Sequence, residues 1–150
     1  MEEERVVCSR AGMIFSKMTI PNQKIIELSK FHTWMGSDGI ARTMVKPGAE
    51  IFLQDAQENT AAVETFFNGE KFPLLVDIRE IKSISAEARE HFSLRGRESV
   101  VTAYAMMLSS SVSRMIGNFF LSFYNPAVPV KLFDREEEAL VWLKSFIRYQ

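Results

Sequence analysis

Two apolar runs constrain this chain more than anything else in it: Leu74 to Ile78 and Val100 to Leu108. Both are nearly continuous, the composition of strands buried on both faces, as in the middle of a parallel sheet. Asp77 and Arg79 put opposite charges where the first run should emerge from that sheet. The stretch from Pro73 to Arg89, PLLVDIREIKSISAEAR, therefore reads as strand, charged turn and the serine-capped start of a helix.

The rest of the chain supplies what such strands need. Lys24 to Met35 is rich in β-formers, Gly36-Ser37-Asp38-Gly39 supplies turn residues, and Ile40 to Val45 follows, so the segment predicts an antiparallel hairpin closed by Pro47-Gly48. Leu53, Ala56, Thr60, Val63 and Phe67 then recur at helical spacing, and Asn68-Gly69 is a left-handed stop. Ser85 is placed to cap a helix with Glu87 in its first turn and Ala88 and Phe92 facing the sheet, breaking near Gly96. Ile116, Phe119, Phe120 and Phe123 mark a further helix, ended by Asn125-Pro126. Gly117 inside it costs about 1 kcal/mol relative to alanine, which points to a close contact. Val128 to Phe133 is the last strand. Asp134 with Glu137 forms a capping-box pattern before a final helix whose buried stripe is Ala139, Leu143, Phe146 and Ile147. Met106, Met107 and Met115 read as core filler.

Strands alternating with helices require crossovers. The chain is thus expected to be an α/β domain: an N-terminal antiparallel hairpin joined to parallel strands of a mixed sheet, with about four helices. Residues 1–22 lack either period and read as a poorly ordered leader, with Met18 a candidate alternative start, leaving residues 23–150 as the domain.

Eighteen basic side chains against nineteen acidic ones, without a Lys/Arg cluster, exclude the usual electrostatics of nucleic-acid binding. No apolar run reaches the roughly 20 residues of a membrane helix, and Glu2, Glu3 and Glu4 are the opposite of a cationic signal-peptide start. The single cysteine, Cys8, cannot make an internal disulfide. A soluble cytoplasmic protein without membrane insertion is the expectation.

In open α/β sheets, ligands sit beyond the carboxyl ends of the strands. That rim collects Asp77, Arg79 and Glu80, then Ser83, Ser85 and Glu87, then Ser109, Ser111 and Arg114. These are the candidate contacts for a partner or an anion. Catalysis finds less support. His32 and His91 have no motif linking them to a serine, and the nucleophile-elbow, P-loop and dinucleotide glycine patterns are absent. The carboxylate pairs Asp77 with Glu80 and Glu87 with Glu90 read as solvated or dipole-favouring groups. Cys and His show no ligand spacing, so neither a metal nor another cofactor is expected. Phe119, Phe120, Phe123 and Tyr124, with Leu121, make one helix wider in apolar surface than a single buried stripe needs, which suggests an apolar-ligand pocket or a dimer surface.

With the element order and the Asp77 region in place, the chain resembles STAS domains, the SpoIIAA-like family of bacterial anti-sigma-factor antagonists, from about Lys24 to Ile147. The segment from Asp77 to Ser85, DIREIKSIS, is similar to that family's Asp-aliphatic-Ser-x-Val strand exit. The pieces "LVDIR", Leu75 to Arg79, and "SRMIGNFF", Ser113 to Phe120, are similar to uncharacterised bacterial SpoIIAA-like proteins. The resemblance implies a non-enzymatic regulatory module that binds a protein partner; the apolar helix adds a homodimer as a further candidate. It departs from the family where the phospho-acceptor serine belongs: that place falls on Ala86 or Glu87, so the usual phosphoserine switch is not expected there, although Ser83 and Ser85 remain nearby. The alternative is a small carrier domain for an apolar or lipid-like ligand held against the phenylalanine-rich helix.

Overall fold

The computed structural model describes residues 4–6, 19–21, 25–93, 100–123 and 128–147. Within the expected leader, β1 (Glu4–Val6) and β2 (Thr19–Pro21) pair antiparallel as a sheet of their own. The main sheet begins with β3 (Ile25–Glu27), β4 (Phe31–Met35) and β5 (Ala41–Val45). The β-rich segment read as one strand is therefore two. It folds back at Leu28, whose N–H donates to the Phe31 carbonyl at 2.8 Å, and the expected hairpin becomes a three-stranded meander. At the tip between β4 and β5, Gly39 adopts φ +81°, a conformation that costs glycine nothing.

The short β6 (Glu50–Ile51) leads into α1 (Leu53–Phe67), which ends at Asn68 in the left-handed conformation anticipated for it. The helix buries Ala56, Asn59, Ala62, Val63 and Phe67. Asn59 thus takes a core position that the helical spacing assigned to Thr60, and Leu53 stays 38% exposed. The reason lies across the sheet, where the Thr33 hydroxyl donates to Asn59 Oδ1 at 2.7 Å and sits 3.1 Å from the Thr43 hydroxyl. A buried amide is tolerated when its hydrogen-bonding groups find partners.

Next come β7 (Phe72–Asp77), β8 (Ser83–Ile84), α2 (Ala86–Phe92), β9 (Val101–Met107), α3 (Ser111–Phe123), β10 (Val130–Phe133) and α4 (Glu136–Lys144). The six-stranded order is β10-β9-β7-β5-β4-β3, with β5, β7, β9 and β10 mutually parallel. The runs anticipated as adjacent parallel strands are so paired, Asp77 opposite Met107. Pro73 has no N–H to give the ladder, and the register shifts between Phe72 and Leu74, where β9 spends one residue more than β7. A third sheet, of two strands, pairs β6 with β8 in parallel beside the segments that leave β5 and β7.

Because each new parallel strand is added on the same side of the last, right-handed crossovers put their helices on one face. That is the observed arrangement: α1, α2 and α3 supply Ala56, Ala88, Ile116 and Phe120 to one cluster with Phe31, Val45 and Met106. On the other face α4 supplies Ala139 and Leu143 against Leu75, Ala103, Ala105 and Met107. Gly117 has the close contact its sequence position suggested, since a Cβ there would lie 3.0 to 3.1 Å from the side chains of Leu108 and Leu132.

Three local expectations are corrected. Asp134 does not cap α4; Arg135 holds that position without a side-chain cap bond, so the Asp134–Glu137 box does not form, and three glutamates in the first turn face the positive end of the helix instead. Met115 is not core filler but 62% exposed, because the buried stripe of α3 follows Ile116 and Phe120. The last strand starts at Val130 rather than Val128. The expected breaks at Gly96 and at Asn125-Pro126 lie outside the described residues. No described helix is long and apolar enough to cross a membrane.

Candidate functional site

The rim is built where β7 and β9 run out of the sheet. Asp77 is the last residue of β7 and Arg79 lies two residues on, a spacing that puts both side chains on one side of an extended chain. Arg79 Nε donates to Asp77 Oδ1 at 3.0 Å and its Nη2 to Oδ2 at 2.7 Å, while the Arg79 N–H also reaches Oδ1 at 3.0 Å. Both residues are buried, 6% and 7% exposed. Burial works against the guanidinium's charge, but the hydrogen bonds and charge of Asp77 outweigh it and hold Arg79 above its ordinary value. The pair is a two-pronged brace, and so Arg79 is not the exposed contact that its charge suggested.

The loop after β9 is tied to that brace. Ser109 Oγ donates to the Arg79 carbonyl at 3.0 Å, so the two strand exits meet as the sequence implied. The first turn of α3 then closes on itself. Ser110 Oγ accepts from the Ser113 N–H at 3.0 Å, and Ser113 Oγ accepts from the N–H groups of Ser109 and Ser110 at 3.0 and 2.9 Å. This is a reciprocal cap in which a serine takes the place usually held by Glu or Gln. Ser113 is fully buried. Sequence reasoning had singled out Ser109 and Ser111 but missed the pairing of Ser110 with Ser113; two serines three residues apart ahead of an apolar helix were the available signal. Ser111 and Arg114 are exposed on the outer side of the same turn.

Ser85 caps α2 as expected, accepting from the Ala88 N–H at 3.1 Å. Ser83 is exposed on β8 and Glu87 exposed in the first turn of α2. The backbone of this arm is fastened to the segment before α1: Gly48 N–H donates to the Glu80 carbonyl at 2.8 Å and Ser85 N–H to the Ile51 carbonyl at 2.9 Å. In the parallel part of the sheet the strand order never reverses, so the rim lacks the crevice that a topological switch point opens.

Of the aromatic set, Phe120 is buried against the sheet, and Phe119 is half-buried beneath the Arg89 guanidinium, 5.0 Å from its ring centre. The side chain of Phe123 and all of Tyr124 lie outside the described residues. Leu121 is half exposed. His91 Nε2 is 2.8 Å from Thr60 Oγ1, joining α2 to α1, and His32 Nε2 lies 3.8 Å from a Glu27 carboxylate oxygen. Among the described residues no three His, Cys, Asp or Glu are grouped to hold a metal ion.

Glu136 opens α4 and shares the electrostatic surroundings of the brace. Burial pushes its carboxyl up from the ordinary glutamate range, Asp77 and Glu137 add to the shift, and Arg42 and Arg79 pull against it without cancelling it. A carboxyl that binds its proton more tightly folded than unfolded loses stability as pH rises from the unfolded to the folded value. Asp38 has the opposite sign. Burial raises it, but the Arg42 fork holds it lower overall, so its contribution disappears as pH falls through its folded value. Urea midpoints taken at intervals from about pH 4 to 7 should place Glu136→Gln above the parent protein at neutral pH, with the gap closing toward acid. A gap independent of pH would contradict this.

A mixed sheet with an antiparallel start, three crossover helices on one face and the last helix on the other is a SpoIIAA-like α/β domain. The crystal structure of an uncharacterized protein of the DUF3478 family with a SpoIIAA-like fold, from Shewanella loihica PV-4, matches with a TM-score of 0.56 at 19% identity, covering 75% of this chain and 91% of that one. A protein of unknown function from Arthrobacter sp. FB24 is 31% identical, covering 74% of this chain and 90% of that one, with a TM-score of 0.30. The chain belongs to the family described as a domain of unknown function, DUF7793, which matches residues 33–147. No curated protein matches it.

Proposed function

We infer that this domain is a non-enzymatic regulatory module that binds a cytoplasmic protein partner through the rim formed by Ser83, Glu87, Ser109, Ser111 and Arg114. The observation that carries the reading is how fully the rim's inner polar groups are spent on one another. Arg79 braces Asp77, Ser109 holds the Arg79 carbonyl, and Ser113 serves the amides of Ser109 and Ser110. A general base or nucleophile must instead be held within reach of a substrate proton or carbon. Groups fixed in this way make a rigid platform, and rigid platforms bind with little loss of conformational entropy.

The exposed groups then supply recognition. Glu87 contributes a permanent negative charge at the start of α2, at the place where the STAS resemblance puts a phospho-acceptor, and Arg114 contributes a positive one on α3. Partner choice by opposite charges follows from this layout, without a phosphoserine cycle.

The test is affinity capture from the cell of origin with the parent protein and with the Glu87→Lys/Arg114→Glu variant. A protein retained by the parent and reduced about tenfold or more by the reversed charges, with unchanged thermal melting, supports the reading. Retention of the same proteins by both, or of none by the parent, removes it.

A further inference from the structure

We propose that the space between the sheet and the α1–α3 layer is a binding site for one compact apolar molecule that carries a single hydrogen-bonding group. A cavity of about 170 Å³ lies there, walled by Val63, Leu74, Val76, Met106 and Phe120, among others. Its lining comes from α1, α2, α3 and the sheet and includes Ile78, Ile81 and Ile84 beneath the rim, but none of the rim's polar residues lines it, so the inference goes beyond the proposed partner binding. An apolar space of about 150 Å³ takes up benzene, so this one has room for a one- or two-ring molecule. Empty, the lining side chains lack partner atoms on one side, and an apolar guest restores those contacts.

Thr43, Glu64 and Tyr104 also reach the wall, but two polar features in its α1–α2 part set the chemistry of the guest. Thr60 and His91, joined at 2.8 Å, both line the cavity, and a threonine hydroxyl offers one donor and two acceptor positions, of which that contact uses one. Asn59 also lines it. Its Oδ1 already accepts from Thr33, which leaves one lone pair there and its two N–H donors. A hydrocarbon would leave these groups unanswered, and a strongly charged molecule would bring its own desolvation penalty into apolar surroundings. The class that fits is neutral, ring-sized and singly polar.

Indole, with indene as its counterpart lacking the N–H, serves as the probe pair. Indole should produce saturable amide shifts in the wild-type protein and nuclear Overhauser contacts to the methyl groups of Val63, Leu74 and Val76. Indene should bind about tenfold more weakly, and Thr60→Val should erase that difference. Val76→Phe, which fills the space, should abolish the indole shifts while leaving the fold intact. Absence of saturable shifts with either probe, or Overhauser contacts confined to the outer faces of the helices, would overturn the proposal. Because the contacts are read in the unsubstituted protein, an unfolded Val76→Phe would not rescue or sink it. Loss of rim-dependent partner capture would leave the result unchanged.

Discussion

Replacing Arg79 by alanine is expected to destabilise the fold by about 3–5 kcal/mol, because it leaves the Asp77 carboxylate buried without its counter-charge. For a chain of this size that corresponds to a drop in melting temperature on the order of 10 °C. The effect has a signature that separates it from simple loss of packing. Arg79→Lys should recover little, since an ammonium cannot reproduce the two parallel bonds at 3.0 and 2.7 Å. The double replacement Asp77→Leu/Arg79→Met should recover most of the loss, because it removes the unpaired charge together with its partner. Denaturant melts of the three proteins check it, and a double variant no more stable than Arg79→Ala would contradict it. The same result explains why partner binding is better probed at Glu87 and Arg114, where substitution leaves the brace in place.

The second large effect lies on the opposite face of the sheet. There α4, nine residues long, together with Phe146 and Ile147 just after it, covers Leu75, Ala103, Ala105 and Met107. Leu143 is completely buried in that cluster. Leu143→Ala should cost about 2–5 kcal/mol, toward the upper part of the range because the facing sheet residues are held by hydrogen bonds on both sides and cannot move in to fill the space. Hydrogen exchange should then show α4 opening well before β7 and β9, since so short a helix has little stability apart from its packing. Protection of α4 equal to that of the central strands in the variant would count against this account. A nine-residue lid on one face and three helices on the other make the two faces unequal in redundancy.

Much of this architecture was legible because it is written in local pattern. The runs around Leu75 and Ala105 are apolar at nearly every position, which only a strand covered on both faces requires. Ser85 ahead of Ala86-Glu87-Ala88 reads as a cap from chain order alone, and the same holds for the stop at Asn68. The misreadings have one physical source. Asp134 and Met115 were assigned by residue type, yet whether a carboxylate caps a helix depends on where the helix begins to within one residue. Whether Met115 is buried depends on the rotation of α3, which packs its Gly117 against Leu108 and Leu132. Asn59 went unnoticed for the same reason. Its partner Thr33 is 26 residues away, and no window of sequence contains both.

The candidate site divides in the same way. Asp77 and Arg79 could be paired on paper from their spacing, and the convergence of the exits of β7 and β9 followed from reading both as parallel neighbours. The sequence by itself determined the alternation of the main elements, the need for crossovers and the charged residues at the strand exits, because periodicity and chain connectivity are local quantities. The tertiary structure alone decided that Arg79 is spent on bracing, that Ser110 and Ser113 close the turn on each other, and that a space remains beneath the helices. Burial and unfilled volume are sums over side chains brought together from distant segments, so they come into existence only when those segments pack.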